Sequence, residues 1–291
     1  MTPLRRQVLD ELQLIGRATQ TQKSYICFIS VFARHFGCCP STLGTPHVRE
    51  FFLHLRRIGR QPATLKVYYA ALRFLYRDVL HRPEVMQGVP KPKVPRQDTL
   101  PALTHLEVRS LLDAANSPFD RAFFSLMYAT GLRVAEVCAV QVGDIDRANH
   151  LLHVRCGKGG KPRTVPLSDT VLDLLSVYWR VERPRHPWLF PSPCNVSASC
   201  TDPTLRWADA PITTRTMGRH FRDLRETAGL RRLATCHSLR KAYATHLLES
   251  GVDLRTIQVL LGHARPETTA IYTSVSAELM GRCPCPLESL G

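Results

Sequence analysis

Hydrophobic residues in the first 80 positions recur at the spacing of an α-helix. Between Tyr25 and Phe36 the large apolar side chains lie three or four residues apart, and Gly37 follows as a helix end. A second pattern follows Thr45 and Pro46, which fit the N-cap and the first position of a helix. We therefore predict a helical N-terminal domain over residues 1–82, with helices on the apolar patterns at 4–14, 25–36, 48–55 and 65–79.

Prolines interrupt the helical pattern after this domain. Proline lacks a backbone N–H and clashes with the preceding turn, so a proline-rich segment is extended rather than helical. Basic residues, Lys91 and Lys93 among them, lie between the prolines. Residues 83–102 are therefore predicted to form a basic interdomain linker, which contains Pro83, Pro90, Pro92, Pro95 and Pro101.

A second domain is predicted over residues 103–280, with a short tail at 281–291. It opens with Thr104 and Glu107, which have the spacing of a capping box. Helical patterns then recur along the chain, and Gly131 breaks one of them. The helical segments lie at 111–112, 123–128, 134–140, 170–181, 213–227, 237–249 and 254–261.

Two strands are predicted inside this second domain. Residues 151–156 and 163–167 have strand composition, and the glycine-rich segment 157–161 is typical of a hairpin turn between them. The fold class expected from these elements is mainly α with a small β-sheet (α+β).

Charge points to a polyanionic partner. The chain of 291 residues carries 39 Lys and Arg against 24 Asp and Glu, a formal net charge of +15. Nucleic acid is the usual partner of so basic a chain, because each neutralised phosphate releases counterions. We expect no membrane span, since no apolar run approaches about 18 residues, and no signal peptide, since charged residues lie close to the N-terminus.

Basic side chains are grouped along the chain in a way that favours a phosphate-facing surface over a merely solvated one. The helix at 213–227 is also a candidate reader of DNA bases, and a solvated basic face is an equally good interpretation of it. The DNA-contact candidates are Arg56, Arg57, Arg60, Lys66, Arg73, Lys91, Lys93, Lys161, Arg163, Arg215, Arg219, Arg222 and Lys241.

Ten cysteines raise the question of disulfide bonds or zinc. They show no paired C-x-x-C spacing, and most lie inside apolar patterns, as Cys27 and Cys138 do. Free thiols in a reducing compartment are the preferred interpretation, and Cys283 with Cys285 in the tail would supply only two metal ligands.

Several polar residues lie where an ordinary core would not place them. Arg133 interrupts an apolar stretch, and either a phosphate or the carboxylate of Glu136 could pair with it. His237 and Arg240 lie three residues apart and so share one helix face. Lys158 lies in the glycine-rich turn, which is not a Walker A motif because no G-K-[ST] leads into a helix.

Taken in order, these motifs resemble the tyrosine recombinase (phage integrase) family, including its Xer and integron-integrase members. The resemblance covers about 17–273 and rests on A-T-G-L-R-V-A-E at 129–136, G-K-G at 157–159, H-S-L-R at 237–240, L-L-G-H at 260–263 and I-Y-T at 271–273. Lys241 and Cys236 depart from the residues that relatives often carry there, and neither occupies one of the motif positions.

The resemblance implies a role for each motif residue. Tyr272 would be the nucleophile that forms a 3′-phosphotyrosine, and Lys158 would protonate the leaving 5′-oxygen. His237 would assist proton transfer at the tyrosine. Arg133, Arg240 and His263 would bind the phosphate. The resemblance implies no cofactor and no metal, because fixed positive charges of the protein can stabilise the transition state of phosphoryl transfer.

The resemblance also implies an architecture and partners. We expect a SAM-like core-binding domain that clamps DNA, followed by a tyrosine recombinase catalytic domain. The partners would be double-stranded DNA and further copies of this chain, a tetramer on paired sites. The setting would be the cytoplasm, in association with the nucleoid.

The function expected is site-specific recombination for integration, excision or transposition of a mobile element. Two alternatives remain open from the sequence. One is a catalytically silent architectural DNA-binding protein, and the other is a type IB topoisomerase-like enzyme that nicks and reseals one strand. Synapsis of two DNA sites separates recombination from topoisomerase activity.

Overall fold

The computed structural model describes residues 2–95, 101–155, 162–184, 187–194 and 207–262. The chain divides into two compact units, Met1–Asp98 and Thr99–Gly291. Lys158, Lys161, His263 and Tyr272, together with Cys283 and Cys285, lie outside the described residues.

The first unit is helical, as its apolar periodicity predicts. Phe32 is fully buried at its centre, with its ring packed edge-on against Phe51 at 5.1 Å between centroids. A π-helical segment, Leu75–Val79, continues directly from the fourth helix. The helices are α1 (Pro3–Leu14), α2 (Thr19–Phe36), α3 (Thr45–Arg57), α4 (Pro62–Phe74) and the short α5 (Glu84–Gln87).

The start of α3 differs by one residue from the prediction. Gly44, not Thr45, is the N-cap, and its backbone N–H donates to Nδ1 of His47. The Thr45 hydroxyl donates instead to the carbonyl of Val85, at 3.0 Å, across the unit. The threonine therefore ties α3 to α5 and does not cap its own helix.

The second unit is built around one central helix with an aromatic core. Phe123 and Phe190 are fully buried there, with ring centroids 5.0 Å apart. The Thr104 hydroxyl and the Glu107 carboxylate form the predicted capping box. The helices are α6 (His105–Asp113), α7 (Pro118–Thr130), α8 (Val134–Cys138), α9 (Asp169–Glu182), α10 (Thr214–Thr227), α11 (Cys236–Glu249) and α12 (Leu254–Leu261), and α7 packs against both α9 and α11.

Two small antiparallel sheets complete the second unit. The first has the order β1-β2-β3, and its two predicted strands pair with Leu152 opposite Val165 and Val154 opposite Arg163. The second pairs two strands that the sequence did not predict. The strands are β1 (Ile145–Asp146), β2 (Leu151–Val154), β3 (Arg163–Pro166), β4 (Pro191–Pro193) and β5 (Trp207–Pro211). The fold class is therefore mainly α with a small β component, as predicted.

Candidate active site

The turn between α7 and α8 is shaped by a glycine. Gly131 ends α7 with a φ of +60°, a left-handed conformation that side-chain-bearing residues rarely adopt. A Cβ at this position would lie 2.2 Å from Cδ1 of Tyr243, so the ring of Tyr243 also requires glycine here. The chain leaves this turn as Leu132, which is buried, and Arg133, which is the N-cap of α8.

Arg133 is bonded to Glu136, as one of the two sequence interpretations predicted. Its Nη1 lies 2.8 Å from Oε1 of Glu136, and its backbone N–H donates to Oε2 at 2.9 Å. One quarter of the Arg133 side chain stays exposed, whereas the Glu136 side chain is almost fully buried. The pairing therefore fixes Arg133 and leaves part of its guanidinium open to solvent.

Arg240 approaches the same carboxylate from α11. Its side chain is fully buried, and its Nη1 lies 3.8 Å from Oε2 of Glu136. Nη1 donates to the carbonyl of Gly131 at 2.7 Å, and Nη2 donates to the carbonyl of Leu261 at 2.6 Å. These bonds hold α11 against the end of α7 and the end of α12.

Arg163, a predicted DNA contact, completes the group and is buried, unlike most of the other predicted contacts. Its side chain is only 8% exposed, because it forms a two-bond fork with Glu136 at 2.8 and 3.2 Å. Its Nε donates to the carbonyl of Leu260 at 2.9 Å. These bonds hold the guanidinium of Arg163 against Glu136 and the end of α12. We call Arg133, Arg163, Arg240 and Glu136 the arginine cluster.

The carboxylate of Glu136 is ionised in this setting. Burial alone would raise its pKa, but hydrogen bonds from Arg163 and Arg133 outweigh burial and lower the pKa below its ordinary value. The cluster thus combines three guanidinium charges with one carboxylate charge. An excess of fixed positive charge remains at the site, which suits the binding of an anion.

His237 lies at the start of α11, one turn before Arg240. Desolvation lowers the pKa of its imidazole, and repulsion from Arg240, Arg133 and Lys241 lowers it further. The ring is therefore neutral at pH 7 and able to accept a proton. The pKa of the half-buried Lys241 is also lowered, by desolvation and by Arg232.

Most of the predicted DNA-contact residues that the structure describes are exposed. On α10 the apolar residues Met217, Phe221 and Leu224 face the core. Arg215, Arg219 and Arg222 of that helix are exposed to solvent. His220 of the same helix bonds Asp120 of α7 at 2.7 Å, which fixes α10 on the core. The exposed candidates are Arg56, Arg57, Arg60, Lys66, Arg73, Lys91, Lys93, Arg215, Arg219 and Arg222.

One group of side chains in the described ranges has the spacing of metal ligands. Ligand atoms of His105, His246 and Glu249 lie within 4.8 Å of one another, and the two imidazole rings stack. Nδ1 of His246 also lies 2.8 Å from the Tyr128 hydroxyl. None of these residues is among the predicted catalytic ones, so this group is distinct from the arginine cluster.

The described cysteines are free thiols, as predicted. Burial raises the pKa of Cys138 to about 12 and that of Cys236 to about 11, so both act as small apolar core residues. In the part of the chain that the structure describes, no helix has the length and apolar character needed to cross a membrane. The described free cysteines are Cys27, Cys38, Cys39, Cys138, Cys194 and Cys236.

The central position of Glu136 and Arg163 is not evident from the sequence. There Glu136 is predicted only as a partner that could neutralise Arg133, and Arg163 is one basic residue among many. The signal for Arg163 was its position in the second strand of the hairpin, two residues before Val165, which places both on the same face of the strand. Its contact with Glu136, 27 residues away in sequence, follows only from the packing of β3 against the α7–α8 turn.

Comparison with known proteins places both units in one family of sequences. Residues 101–278 match the phage integrase family, and residues 4–84 match the N-terminal SAM-like domain of phage integrases. Tyrosine recombinase XerA of Pyrococcus furiosus is 34% identical over 94% of this chain and 92% of its own length. Tyrosine recombinase XerD of Caulobacter vibrioides is 37% identical over 79% of this chain and 77% of its own length.

Solved structures show the same fold. A crystal structure of XerA recombinase aligns with 96% of this chain and 95% of its own, with a TM-score of 0.54 and 25% identity. A lambda integrase from a dimer bound to a COC′ core site aligns with 94% of this chain and 95% of its own, with a TM-score of 0.70 and 21% identity.

Proposed function

The chain belongs to the phage integrase family, and from this premise we propose that it is a site-specific DNA recombinase. It cuts and rejoins DNA strands through a covalent 3′-phosphotyrosine at Tyr272. The reaction serves the integration, excision or transposition of a mobile element. It takes place in the cytoplasm, on DNA of the nucleoid.

The observation that carries this proposal is the joining of Arg133 and Arg240 through Glu136. Two guanidinium groups from α8 and α11, 107 positions apart in sequence, meet at one buried carboxylate. A phosphodiester gains negative charge on its non-bridging oxygens as it is attacked, and preorganised guanidinium groups stabilise that charge. The cluster thus provides for phosphoryl transfer without requiring a metal ion.

Each motif residue has one role in the proposed reaction. The Tyr272 hydroxyl oxygen attacks phosphorus while its proton passes to the neutral His237. The bond from phosphorus to the 5′-oxygen breaks, and Lys158 donates the proton that this oxygen needs. Arg133, Arg240 and His263 bind the non-bridging oxygens. Attack by the 5′-hydroxyl of another strand reverses these steps and releases the tyrosine.

Double-stranded DNA is the proposed substrate, with protomers acting together on paired sites. Lambda integrase structures contain a dimer on a core site and a tetramer on a Holliday junction, and the proposed assembly of this chain is likewise a tetramer. The core-binding domain, predicted over residues 1–82, also includes α5 (Glu84–Gln87), which is bonded to α3. In this proposal the linker is the remainder of the predicted segment 83–102, followed by the catalytic domain at 103–280 and a tail at 281–291. The exposed basic residues on α3, α4 and α10 supply contacts to DNA phosphates.

Covalent trapping tests this proposal. The wild-type chain and Tyr272→Phe are incubated, in the presence of EDTA, with a nicked duplex whose cleavage releases a short fragment and prevents religation. We expect a denaturation-resistant protein–DNA adduct from the wild type and none from Tyr272→Phe. Salt-sensitive binding with no adduct from either would instead support the architectural function. Exchange of strands between two duplexes distinguishes recombination from topoisomerase activity.

A further inference from the structure

We propose that Arg163 is a positioning residue for the recombination reaction, acting through Glu136 on Arg133 and Arg240. This inference rests on the proposed function, since it assigns a residue to that same site. The guanidinium of Arg163 bonds Glu136 and the carbonyl of Leu260. It fixes the carboxylate to which Arg133 is bonded and beside which Arg240 lies.

The hydrogen bonds at Glu136 show how this positioning works. A carboxylate has about four acceptor positions, and here four hydrogen bonds fill them. Arg163 supplies two, and the side chain and backbone N–H of Arg133 supply the other two. With every position occupied, the Glu136 carboxylate has little freedom to rotate, and Arg133 is held at one angle.

The charges of the cluster give Arg163 a second effect. The fork from Arg163 compensates the negative charge of Glu136, so Arg133 and Arg240 keep their positive charges for a phosphate. Without Arg163, the single negative charge of Glu136 would offset one of the two positive charges of Arg133 and Arg240. Arg163 thus raises the net formal charge of the cluster from +1 to +2.

Arg163 also joins Arg240 in holding the end of α12. The last carbonyls of a helix have no partner within the helix. Here Nε of Arg163 bonds the carbonyl of Leu260, and Nη2 of Arg240 bonds the carbonyl of Leu261, its neighbour. Gly262 follows with a φ of +64°, and a Cβ on it would lie 3.0 Å from Arg163. Two arginines that meet at Glu136 therefore fix consecutive carbonyls at this helix end.

The test compares Arg163→Met, Arg163→Lys and Glu136→Gln with the double variant Arg163→Met/Glu136→Gln. For each variant we measure the DNA affinity and the rate of adduct formation at a saturating concentration of the nicked duplex. The final yield of adduct gives the fraction of protein molecules that are active. Arg155→Met is the matched control, because Arg155 also leaves the same sheet to pair with a carboxylate, that of Asp144.

We expect Arg163→Met to lower the rate about 100-fold while affinity and adduct yield stay close to wild type. Arg163→Lys recovers part of the rate, since lysine restores the charge but not the fork. The double variant is no slower than the slower single variant, because the two residues act as one unit. Arg155→Met cleaves at the wild-type rate.

Three results would overturn the inference. These are a wild-type rate in Arg163→Met, rate losses that multiply in the double variant, or a loss explained wholly by a lower adduct yield. If Arg163→Met does not fold, Arg163→Lys decides, and a wild-type rate in that variant rejects the need for the fork. Failure of the proposed function is distinguishable, because the wild type itself would then form no adduct dependent on Tyr272.

Discussion

The carbonyl oxygen of Gly131 accepts a 2.7 Å hydrogen bond from Nη1 of Arg240, which lies 109 residues later in the chain. The bond is buried, and the same guanidinium lies beside Glu136. The left-handed turn at Gly131 therefore orients a backbone carbonyl toward the site as well as ending α7. Glycine at this position serves both the fold and the placement of Arg240.

Gly131→Ala tests that relationship. The added Cβ would overlap the ring of Tyr243, which is buried and cannot move aside cheaply, and the backbone would be held at a positive φ. We expect a loss of about 2–4 kcal/mol in the free energy of unfolding, measured by urea denaturation.

Gly229→Ala is the matched control for this change. Gly229 has a similar φ of +67°, but a Cβ there would meet nothing within 4 Å. It should cost only the backbone strain, about 1–2 kcal/mol. Equal losses in the two variants would show that packing against Tyr243 contributes nothing.

Arg133→Ala separates the two interpretations of that residue. If Arg133 binds phosphate, adduct formation at saturating DNA should fall about 100- to 1,000-fold, in line with the loss of a preorganised donor. Stability should change by only about 1–2 kcal/mol, because the backbone N–H of residue 133 and the fork from Arg163 still bond Glu136. A normal rate with a lowered melting temperature would show that Arg133 serves only as a partner of Glu136.

The lowered pKa of His237 predicts the pH dependence of cleavage. In the proposed reaction the neutral ring is the proton acceptor, so we expect activity to be lost only as the pH falls below the pKa of His237. Since burial and nearby arginines depress that pKa below the ordinary 6.5, the rate should stay level as the pH is lowered through 6.5 and fall only in more acidic solution.

His237→Gln should be slow at pH 7.5 and should lack this acidic fall. Single-turnover rates from pH 5 to pH 8 give both profiles. A wild-type rate that already declines between pH 8 and pH 7 would contradict the assignment, since a group with an ordinary or raised pKa would then control the reaction.

Arg219 on α10 tests whether the exposed basic face touches DNA. If Arg219 neutralises one phosphate, Arg219→Gln should reduce the slope of log affinity against log salt by about 0.9. Arg109→Gln, a change at an exposed arginine of α6, should leave the slope unaltered. Equal slopes in the wild type and both variants would place the α10 face away from the DNA backbone.

Helices were the most predictable part of this fold, and short strands were the least. The apolar period from Tyr25 to Phe36 and the capping box at Thr104 carry their structural information locally, so both predictions were confirmed. The sequences of β4 and β5 contain no local signal that predicts their pairing. Each strand has five residues or fewer, and both contain proline, which is typical of a loop. Their pairing depends on tertiary contacts.

In the arginine cluster too, contacts between residues close in sequence could be predicted, and contacts between distant residues could not. The contact of Arg133 with Glu136 spans one helical turn and could be named from spacing alone, as an alternative to phosphate binding. The fork from Arg163 and the approach of Arg240 span 27 and 104 residues, and no local pattern distinguishes an arginine that will be buried from one that will be solvated. The basic composition of the chain favoured a DNA contact at Arg163, whereas in the folded protein its side chain is buried against Glu136.

The proposed reaction is tested most directly by the rate of adduct formation on the nicked substrate without metal, measured for the wild type, Tyr272→Phe and Arg133→Ala. We expect a rapid adduct from the wild type, none from Tyr272→Phe, and slow formation from Arg133→Ala despite normal DNA binding. An adduct that persists in Tyr272→Phe, or a wild type that binds its own recombination site and forms no adduct, would rule out the proposed reaction at Tyr272.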